Sequence, residues 1–172
     1  MEFDEKTLTS EYIYKGKILN LRKDSVSLID GKTSDREVVE HSGGSCVLCE
    51  LDGKILLVKQ FRYPYKETIY ELPAGKLNAG ETPKETAIRE LEEEGGVLAE
   101  DVELMFKVYP SPGYTEEIIW IYKAINPRLT KSHLDEDEFL SCEWFDKETL
   151  KNMIEKGQIN DAKTLIALLK YL

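Results

Sequence analysis

Residues 75–97 read GKLNAGETPKETAIRELEEEGGV, a run in which glycines flank a cluster of acids; we call it the box. On a helix with 100° per residue, Glu90, Glu93 and Glu94 fall within roughly 100° of one another. Three carboxylates on one face repel one another unless a cation lies between them. Because hard oxygen ligands favour magnesium or manganese, the spacing predicts a divalent metal site of the kind that serves phosphate chemistry.

Local signals around these acids predict the helix that the spacing requires. Thr82 and Glu85 have the positions of a capping box, and Pro83 suits the first helical position. The glycine pair at 95–96 can end the helix. A glutamate-rich helix is more often only a solvated face, and Glu92, on the far side, is assigned to that class.

The composition bounds the class of protein. A chain of 172 residues with 41% hydrophobic and 33% charged residues is typical of one globular domain, or of one domain with a small appendage. The net charge of -10 argues against nonspecific nucleic-acid binding. The sequence contains no apolar run of membrane-spanning length and no recognisable signal peptide, so we expect no membrane association and a cytoplasmic location.

The three cysteines do not form an obvious functional set. Cys46 and Cys49 have CxxC spacing, but they lie in an apolar run typical of a strand, where positions three apart point to opposite faces. No second pair follows, and Cys142 is distant in sequence. A buried-core interpretation is therefore favoured over a zinc or redox site.

Short strand-like runs dominate the first 40 residues, and strands alternate with helices afterwards. We expect an antiparallel strand unit over residues 1–40 and an α/β sandwich with a mixed sheet over residues 41–172. Turns are expected at 30–32 and 52–53. The expected strands are 11–14, 17–21, 25–29, 36–41, 45–51, 54–60, 68–72, 102–109, 117–124 and 140–145, and the expected helices are the box helix, 147–156 and 161–172.

Several residues outside the acid cluster are candidates for pyrophosphate chemistry. Arg36 and Arg62 could bind phosphates, because arginine makes bidentate contacts, although each alone is more typical of a surface arginine. Arg89 is placed to orient a carboxylate, with a surface ion pair to Glu85 or Glu93 as the alternative. Residues 134–139, LDEDEF, place four further acids in a loop that by composition is most often a solvated turn.

The box matches that of the Nudix hydrolase family at every defined position, and the flanking sequence resembles one branch, the ADP-ribose pyrophosphatases. That resemblance covers nearly the whole chain. It is carried by LVKQFRYP at 57–64, YELPAG at 70–75, Ser111-Pro112-Gly113 with the proline fifteen residues after Val97, EKGQI at 155–159 and DAKTLIAL at 161–168.

The resemblance implies a Nudix-type α/β/α sandwich and specific roles for individual residues. Residues 41–172 would form the Nudix domain, and residues 1–40 would exchange strands in a homodimer and shape the partner's adenine pocket. The implied metal ligands are Glu90, Glu93, Glu94 and the backbone carbonyl of Ala74. The implied catalytic residues are Glu93, Glu94, Arg89 and a loop base, Glu136 or Glu138, and the implied substrate contacts are Arg36, Arg62, Pro112 and Gly113.

One position departs from the resemblance. Some relatives place an aromatic residue just after a Tyr-x-Gly sequence to stack on adenine, whereas here Tyr14-Lys15-Gly16 is followed by Lys17-Ile18. Tyr12, Tyr63 and Tyr65 remain alternatives for the adenine contact.

The combined hypothesis is a magnesium-dependent hydrolase, with manganese as a possible substitute, that cleaves ADP-ribose or a similar nucleoside diphosphate sugar to AMP and ribose 5-phosphate. One alternative is the same chemistry on a GDP-sugar, a flavin dinucleotide or a dinucleoside polyphosphate. Another is a non-catalytic module that senses ADP-ribose, which the intact set of box glutamates disfavours.

Overall fold

A computed structural model of the chain describes residues 4–134 and 139–172. These residues divide into two compact units. The first unit contains the described residues up to Gly43 together with Tyr109–Ile118, and the second contains Gly44–Val108 and the described part of Ile119–Leu172. No helix in the described parts of the chain is long and apolar enough to cross a membrane.

The first unit is built on an antiparallel sheet in the order β1-β2-β3, formed by Lys6–Lys15, Leu19–Ser27 and Thr33–His41. The sequence predicted two separate strands at 17–21 and 25–29, and that was wrong. β2 pairs with β3 without interruption from Leu19 opposite His41 to Ser27 opposite Thr33. The charged residues at 22–24 interrupt the apolar pattern but not the backbone ladder, because ladder hydrogen bonds do not depend on side chains.

The segment Tyr109–Ile118 joins the first unit through Val39. The Val39 amide donates to the Tyr114 carbonyl at 2.7 Å, and the Glu116 amide donates to the Val39 carbonyl at 3.1 Å. The hydroxyl of Thr115 also donates to that carbonyl. The segment that carries Pro112 and Gly113 therefore contacts β3, about 75 residues earlier in the chain, which no local pattern indicates.

The second unit contains a mixed sheet in the order β10-β11-β4-β8 and a sheet in the order β13-β6-β5, with β7 also paired to β6. The β11–β4 pair is parallel and the other pairs are antiparallel. A small β12-β9 pair completes the described strands. The elements are β4 Gly44–Leu48, β5 Glu50–Leu51, β6 Lys54–Arg62, β7 Glu67–Glu71, β8 Ala74–Lys76, α1 Pro83–Glu93, β9 Val97–Leu98, β10 Asp101–Val108, β11 Ile119–Ile125, β12 Arg128–Leu129, β13 Leu140–Asp146, α2 Lys147–Glu155 and α3 Ala162–Tyr171.

Alternation along the central strands creates two cores in the second unit. Cys46 packs in a cluster with Leu150 of α2 and Leu168 of α3. Cys49 packs in another cluster with Leu91 of α1. Because successive strand residues point to opposite faces, helices cover both sides of the sheet layer. The predicted α/β/α sandwich and the buried-core interpretation of the CxxC pair are both confirmed.

The sequence predicted a loop where β8 lies. Cys46 of β4 pairs with Ala74 and Gly44 pairs with Lys76, so the entry to the box is a short antiparallel strand. The predicted turn at Asp52-Gly53 is confirmed, with φ of 51° and 76°. That turn is encoded by two adjacent residues, whereas β8 depends on a strand some 30 residues earlier.

Candidate active site

Helix α1 begins where the sequence predicted. The Thr82 hydroxyl accepts a hydrogen bond from the Glu85 amide, and the Glu85 carboxylate accepts one from the Thr82 amide at 2.8 Å. Pro83 occupies the first helical position. The helix ends at Glu93 with Glu94 as its cap, and Gly96 has a φ of +60°, which favours glycine. These contacts fix where the helix starts and ends, and therefore where the glutamates lie along it.

Two of the predicted metal ligands are buried beside the backbone of β8. Glu90 is 7% exposed and Glu94 is 3% exposed. Glu94 Oε2 accepts the Ala74 amide at 2.8 Å. A Cβ atom on Gly75 would lie 1.7 Å from Glu90 Oε1, so only glycine admits the Glu90 carboxylate here. The absence of a side chain at Gly75 therefore lets the Glu90 carboxylate lie against the backbone of β8.

The Arg89 guanidinium lies between the carboxylates of the box. Its Nη1 donates to Glu90 Oε1 at 2.7 Å and to Glu93 Oε2 at 2.8 Å. Its Nε and Nη2 donate to the two oxygens of Glu81 at 2.8 and 3.0 Å, a bidentate contact. Charge-assisted bonds of this kind are stronger than neutral ones and restrict orientation. Arg89 therefore holds three carboxylates in one arrangement.

The contact between Arg89 and Glu81 favours the charged forms of both side chains. Hydrogen bonds from Arg89 lower the pKa of Glu81 to about 2, although burial opposes the shift. The hydrogen bond to Glu81 is also the main reason that the pKa of Arg89 is raised. Three carboxylates, those of Glu81, Glu90 and Glu93, contact the one guanidinium, and Glu94 follows them at the end of the same helix. The cluster is therefore acidic overall, which favours a further cation.

Among residues 4–134 and 139–172, no group of three or more His, Cys, Asp or Glu side chains is arranged to hold a metal ion. In the structure Arg89 Nη1 contacts both Glu90 and Glu93, while Glu94 accepts the Ala74 amide. The donor set nevertheless fits a hard divalent cation. It consists of oxygen ligands, two of them on buried side chains, beside the backbone of Ala74.

The remaining predicted site residues fall in different places. Arg62 lies in the second unit and makes a bidentate contact with Glu71, with Nη2 to Oε2 at 2.9 Å. Arg36 lies in the first unit, where its guanidinium binds the carboxylate of Glu5. Pro112 and Gly113 also belong to the first unit. Glu136 and Glu138, the two candidates for the base, lie outside the described residues.

The sequence reasoning gave no role to several residues that contact the site. Glu71 is 1% exposed and binds both Arg62 and Lys163. The Cys142 thiol donates to the Glu94 carbonyl at 3.0 Å, at the end of α1. Glu81 belongs to the box pattern, so its spacing from Arg89 could have identified it. Glu71 and Lys163 are 92 residues apart, and only their presence in motifs at 70–75 and 161–168 pointed to them.

Comparison with known proteins identifies the family. A NUDIX domain matches residues 39–168, and a nucleoside diphosphate sugar hydrolase N-terminal domain matches residues 5–39. The chain therefore belongs to the Nudix family, which confirms the prediction made from the box.

Individual relatives resemble the chain along nearly all of its length. It is 43% identical over 168 residues to the ADP-ribose pyrophosphatase of Bacillus subtilis (strain 168), covering 96% of this chain and 91% of that protein. It is 40% identical, with the same coverage, to the methanol dehydrogenase activator of Bacillus methanolicus. A crystal structure of an ADP compounds hydrolase has the same fold, with a TM-score of 0.86 and 19% identity over 98% of this chain and 93% of that one.

Proposed function

We propose that this protein hydrolyses the pyrophosphate of ADP-ribose to AMP and ribose 5-phosphate in a magnesium-dependent reaction. The observation that carries the proposal is the 43% identity with an ADP-ribose pyrophosphatase over 96% of the chain. The acidic cluster around Arg89 supports it, because hydrolysis of a dianionic pyrophosphate needs a site that recruits cations.

The residues that would hold magnesium, or manganese in its place, are Glu90, Glu93, Glu94 and the carbonyl of Ala74. A bound divalent cation would neutralise charge on the pyrophosphate and lower the pKa of a water molecule. Arg89 would fix the orientation of Glu90 and Glu93 through the bonds at 2.7 and 2.8 Å.

The proton of the attacking water needs an acceptor. The carboxylates of Glu90, Glu93 and Glu94 are assigned to the metal, which favours a base from another segment. We assign this role to Glu136 or Glu138, which lie in an acidic stretch before β13. Replacing each with glutamine and comparing kcat would identify the base.

We assign the diphosphate contact to Arg62 and further phosphate and ribose contacts to Arg36, Pro112 and Gly113. Arg36 binds Glu5 in the structure, so an anionic substrate would compete with that carboxylate. The ion pair is exposed, and exposed ion pairs contribute little to stability because water screens the charges. Replacing Glu5 by a phosphate of the substrate therefore costs little free energy.

We propose that residues 1–40 mediate a homodimer. β1 is an edge strand, and all ten of its residues are exposed, including Leu8, Ile13 and Tyr14 at 54%, 56% and 58%. An apolar edge strand of this length readily pairs with another chain. Sedimentation should detect a dimer that Ile13→Asp dissociates, and a wild-type monomer at micromolar concentration would contradict the proposal.

We also propose a cytoplasmic location. All three cysteines are free thiols, and Cys46 and Cys49 lie in the core, as is usual where thiols remain reduced. Cell fractionation would test the assignment.

A hydrolysis screen in magnesium tests the function directly. ADP-ribose would be compared with GDP-mannose, a flavin dinucleotide, a dinucleoside tetraphosphate and NAD, with products separated by chromatography. Preferential release of AMP and ribose 5-phosphate from ADP-ribose is the expected result. The other diphosphates are included because a relative at 40% identity is named for a different role, as a methanol dehydrogenase activator.

The outcomes of the screen are distinct. A strong preference for another diphosphate would retain the chemistry of the box and withdraw the adenine and ribose assignments. Binding of ADP-ribose without turnover in either magnesium or manganese would support the sensing module instead.

A further inference from the structure

A chain of alternating charges crosses the second unit between β6 and the start of α3. Arg62 binds Glu71, Glu71 binds Lys163, and Lys163 binds Asp161 with Nζ to Oδ1 at 2.9 Å. The side chain of Glu71 is 2% exposed and that of Lys163 is 11% exposed, whereas Arg62 is 39% exposed. The exposed end of this buried network is therefore a guanidinium.

The buried end of the network is anchored to α3. Asp161 caps this helix by accepting the Thr164 amide at 3.0 Å. The Thr164 hydroxyl accepts the Leu72 amide at 2.8 Å, next to Glu71 in sequence. The backbone and the carboxylate at the end of β7 thus both contact the first turn of α3. A rigid helix holds Glu71 in place.

Contacts within the network favour the charged forms of Glu71, Lys163 and Arg62. Burial favours the neutral form of Glu71, but the bond from Arg62 and the charge of Lys163 outweigh it and lower the pKa of Glu71. Burial likewise opposes the charge of Lys163, and Asp161 and Glu71 outweigh it and raise the pKa of Lys163. The bond to Glu71 is the main cause of the raised pKa of Arg62, and the charge of Glu94 contributes to it. Arg62 is therefore within electrostatic range of the acidic cluster.

The geometry at Arg62 leaves part of the guanidinium available. The contact with Glu71 uses Nε and Nη2, which form one edge of the planar group. Among the described residues no hydrogen bond to Nη1 is seen, so this side of the guanidinium remains for an incoming anion. Lys163 also binds Glu71 Oε2, so the carboxylate that holds Arg62 is itself held from the side of α3. The arrangement fixes Arg62 while keeping it attractive to a phosphate.

We propose that Glu71, anchored by Lys163, is a positioning residue that orients the Arg62 guanidinium toward the diphosphate of the substrate. The inference rests on the proposed function, since Arg62 is assigned there to the diphosphate. A preoriented arginine binds an anion without the cost of ordering its side chain. Loss of the bidentate contact between Glu71 and Arg62 should therefore weaken substrate binding more than it slows the hydrolysis step.

A double-mutant cycle on Glu71 and Arg62 tests this role. Glu71→Gln and Arg62→Ala would be made singly and together, and KM and kcat for ADP-ribose would be measured. The dissociation constant of ADP-ribose without metal would be measured by calorimetry. We expect Glu71→Gln to raise KM and the dissociation constant by roughly tenfold, with a smaller effect on kcat, and to add less than about twofold in the Arg62→Ala background.

Two further variants separate orientation from charge and from folding. Glu71→Asp keeps the charge that Lys163 requires but withdraws the carboxylate by one methylene group, so we expect KM to rise about as much as in Glu71→Gln. Glu67→Gln is the matched control, because Glu67 is exposed on the same strand and lies directly opposite Arg62 in register. We expect Glu67→Gln to behave as the wild type.

Several outcomes would overturn the positioning role. The first is a wild-type KM in Glu71→Asp, and the second is a lowered melting temperature with unchanged KM in Glu71→Gln. The third is a KM in the double variant that rises by the product of the two single-variant increases. If the wild type cleaves ADP-ribose and one of these results appears, only the positioning role fails. If the wild type neither binds nor cleaves any diphosphate of the screen, the proposed function fails and the positioning role fails with it.

Discussion

Arg89 and Glu71 are the centres of two ion clusters in the second unit that are built in opposite ways. At the box, the Arg89 guanidinium forms ion pairs with the three carboxylates of Glu81, Glu90 and Glu93. At the end of β7, one buried carboxylate serves the two cations Arg62 and Lys163. The first cluster has an excess of negative charge, whereas Asp161 brings the second to neutrality.

The two clusters therefore differ in charge balance: the second balances its own charge, and the first does not. Buried charges are costly unless they are paired, so a neutral, anchored network is what a structural or positioning element requires. An acidic cluster is stabilised by a further cation, as a metal-dependent site requires. We therefore expect substitutions at the box to affect turnover most and substitutions at the anchor of the network to affect stability.

The largest effect is expected from removing one charge at the box. Glu94→Gln retains an oxygen that can accept the Ala74 amide but loses the negative charge, so we expect an intact fold and a kcat lower by about a thousandfold. The measurement is ADP-ribose turnover in magnesium together with thermal melting. Glu92→Gln, two residues earlier, should turn over normally, and an unchanged kcat in Glu94→Gln would remove Glu94 from the mechanism.

A somewhat smaller effect is expected from changing the shape of the central cation. In Arg89→Lys the charge remains, but an ammonium group cannot make the bidentate contact with Glu81 while also bonding Glu90 and Glu93. We expect kcat/KM to fall by roughly ten- to a hundredfold, with a higher magnesium concentration needed for half-maximal activity. Lys84→Met is the control. Lys84 lies on the same helix as Arg89, and its ion pair with Asp101 of β10 is exposed.

The acidic cluster should also make stability depend on pH. The pKa of Glu81 is lowered from 4.5 to about 2 in the folded protein, so its contribution is fully present above pH 4.5 and is lost as the pH falls toward 2. We expect Glu81→Gln to lower the free energy of unfolding by on the order of 2 kcal/mol at neutral pH. Denaturant titrations of both proteins between pH 2 and 7 would reveal the trend, and a constant difference would contradict it.

The smallest effect is expected at the anchor of the neutral network. Thr164→Val leaves the buried Leu72 amide without the hydroxyl that it contacts at 2.8 Å, which should cost about 1–2 kcal/mol of unfolding free energy. Thr149→Val is matched, since Thr149 has the same position in α2 and the same contact with its capping aspartate. Equal losses in the two variants would show that the Leu72 contact contributes nothing.

The comparison also separates what sequence reasoning could reach from what it could not. The box helix and its capping box were predictable, because residues within about four positions of one another carry that signal, and the family was predictable from the pattern of residues 75–97. The single strand β2 was missed because the charged residues at 22–24 interrupt the apolar pattern, whereas pairing with β1 and β3 continues across them. β8 was missed because it forms by pairing with β4.

The sequence by itself determined the acid spacing on α1, the start of that helix and the Nudix family of the chain. Tertiary structure alone decided that Arg89 would gather the carboxylates of Glu81, Glu90 and Glu93, and that Gly75 would admit Glu90. It alone brought Lys163 to Glu71 across 92 residues of chain. The physical reason is that local signals specify backbone conformation over one or two turns, whereas the partner of a buried charge is whichever residue the packed elements bring to it.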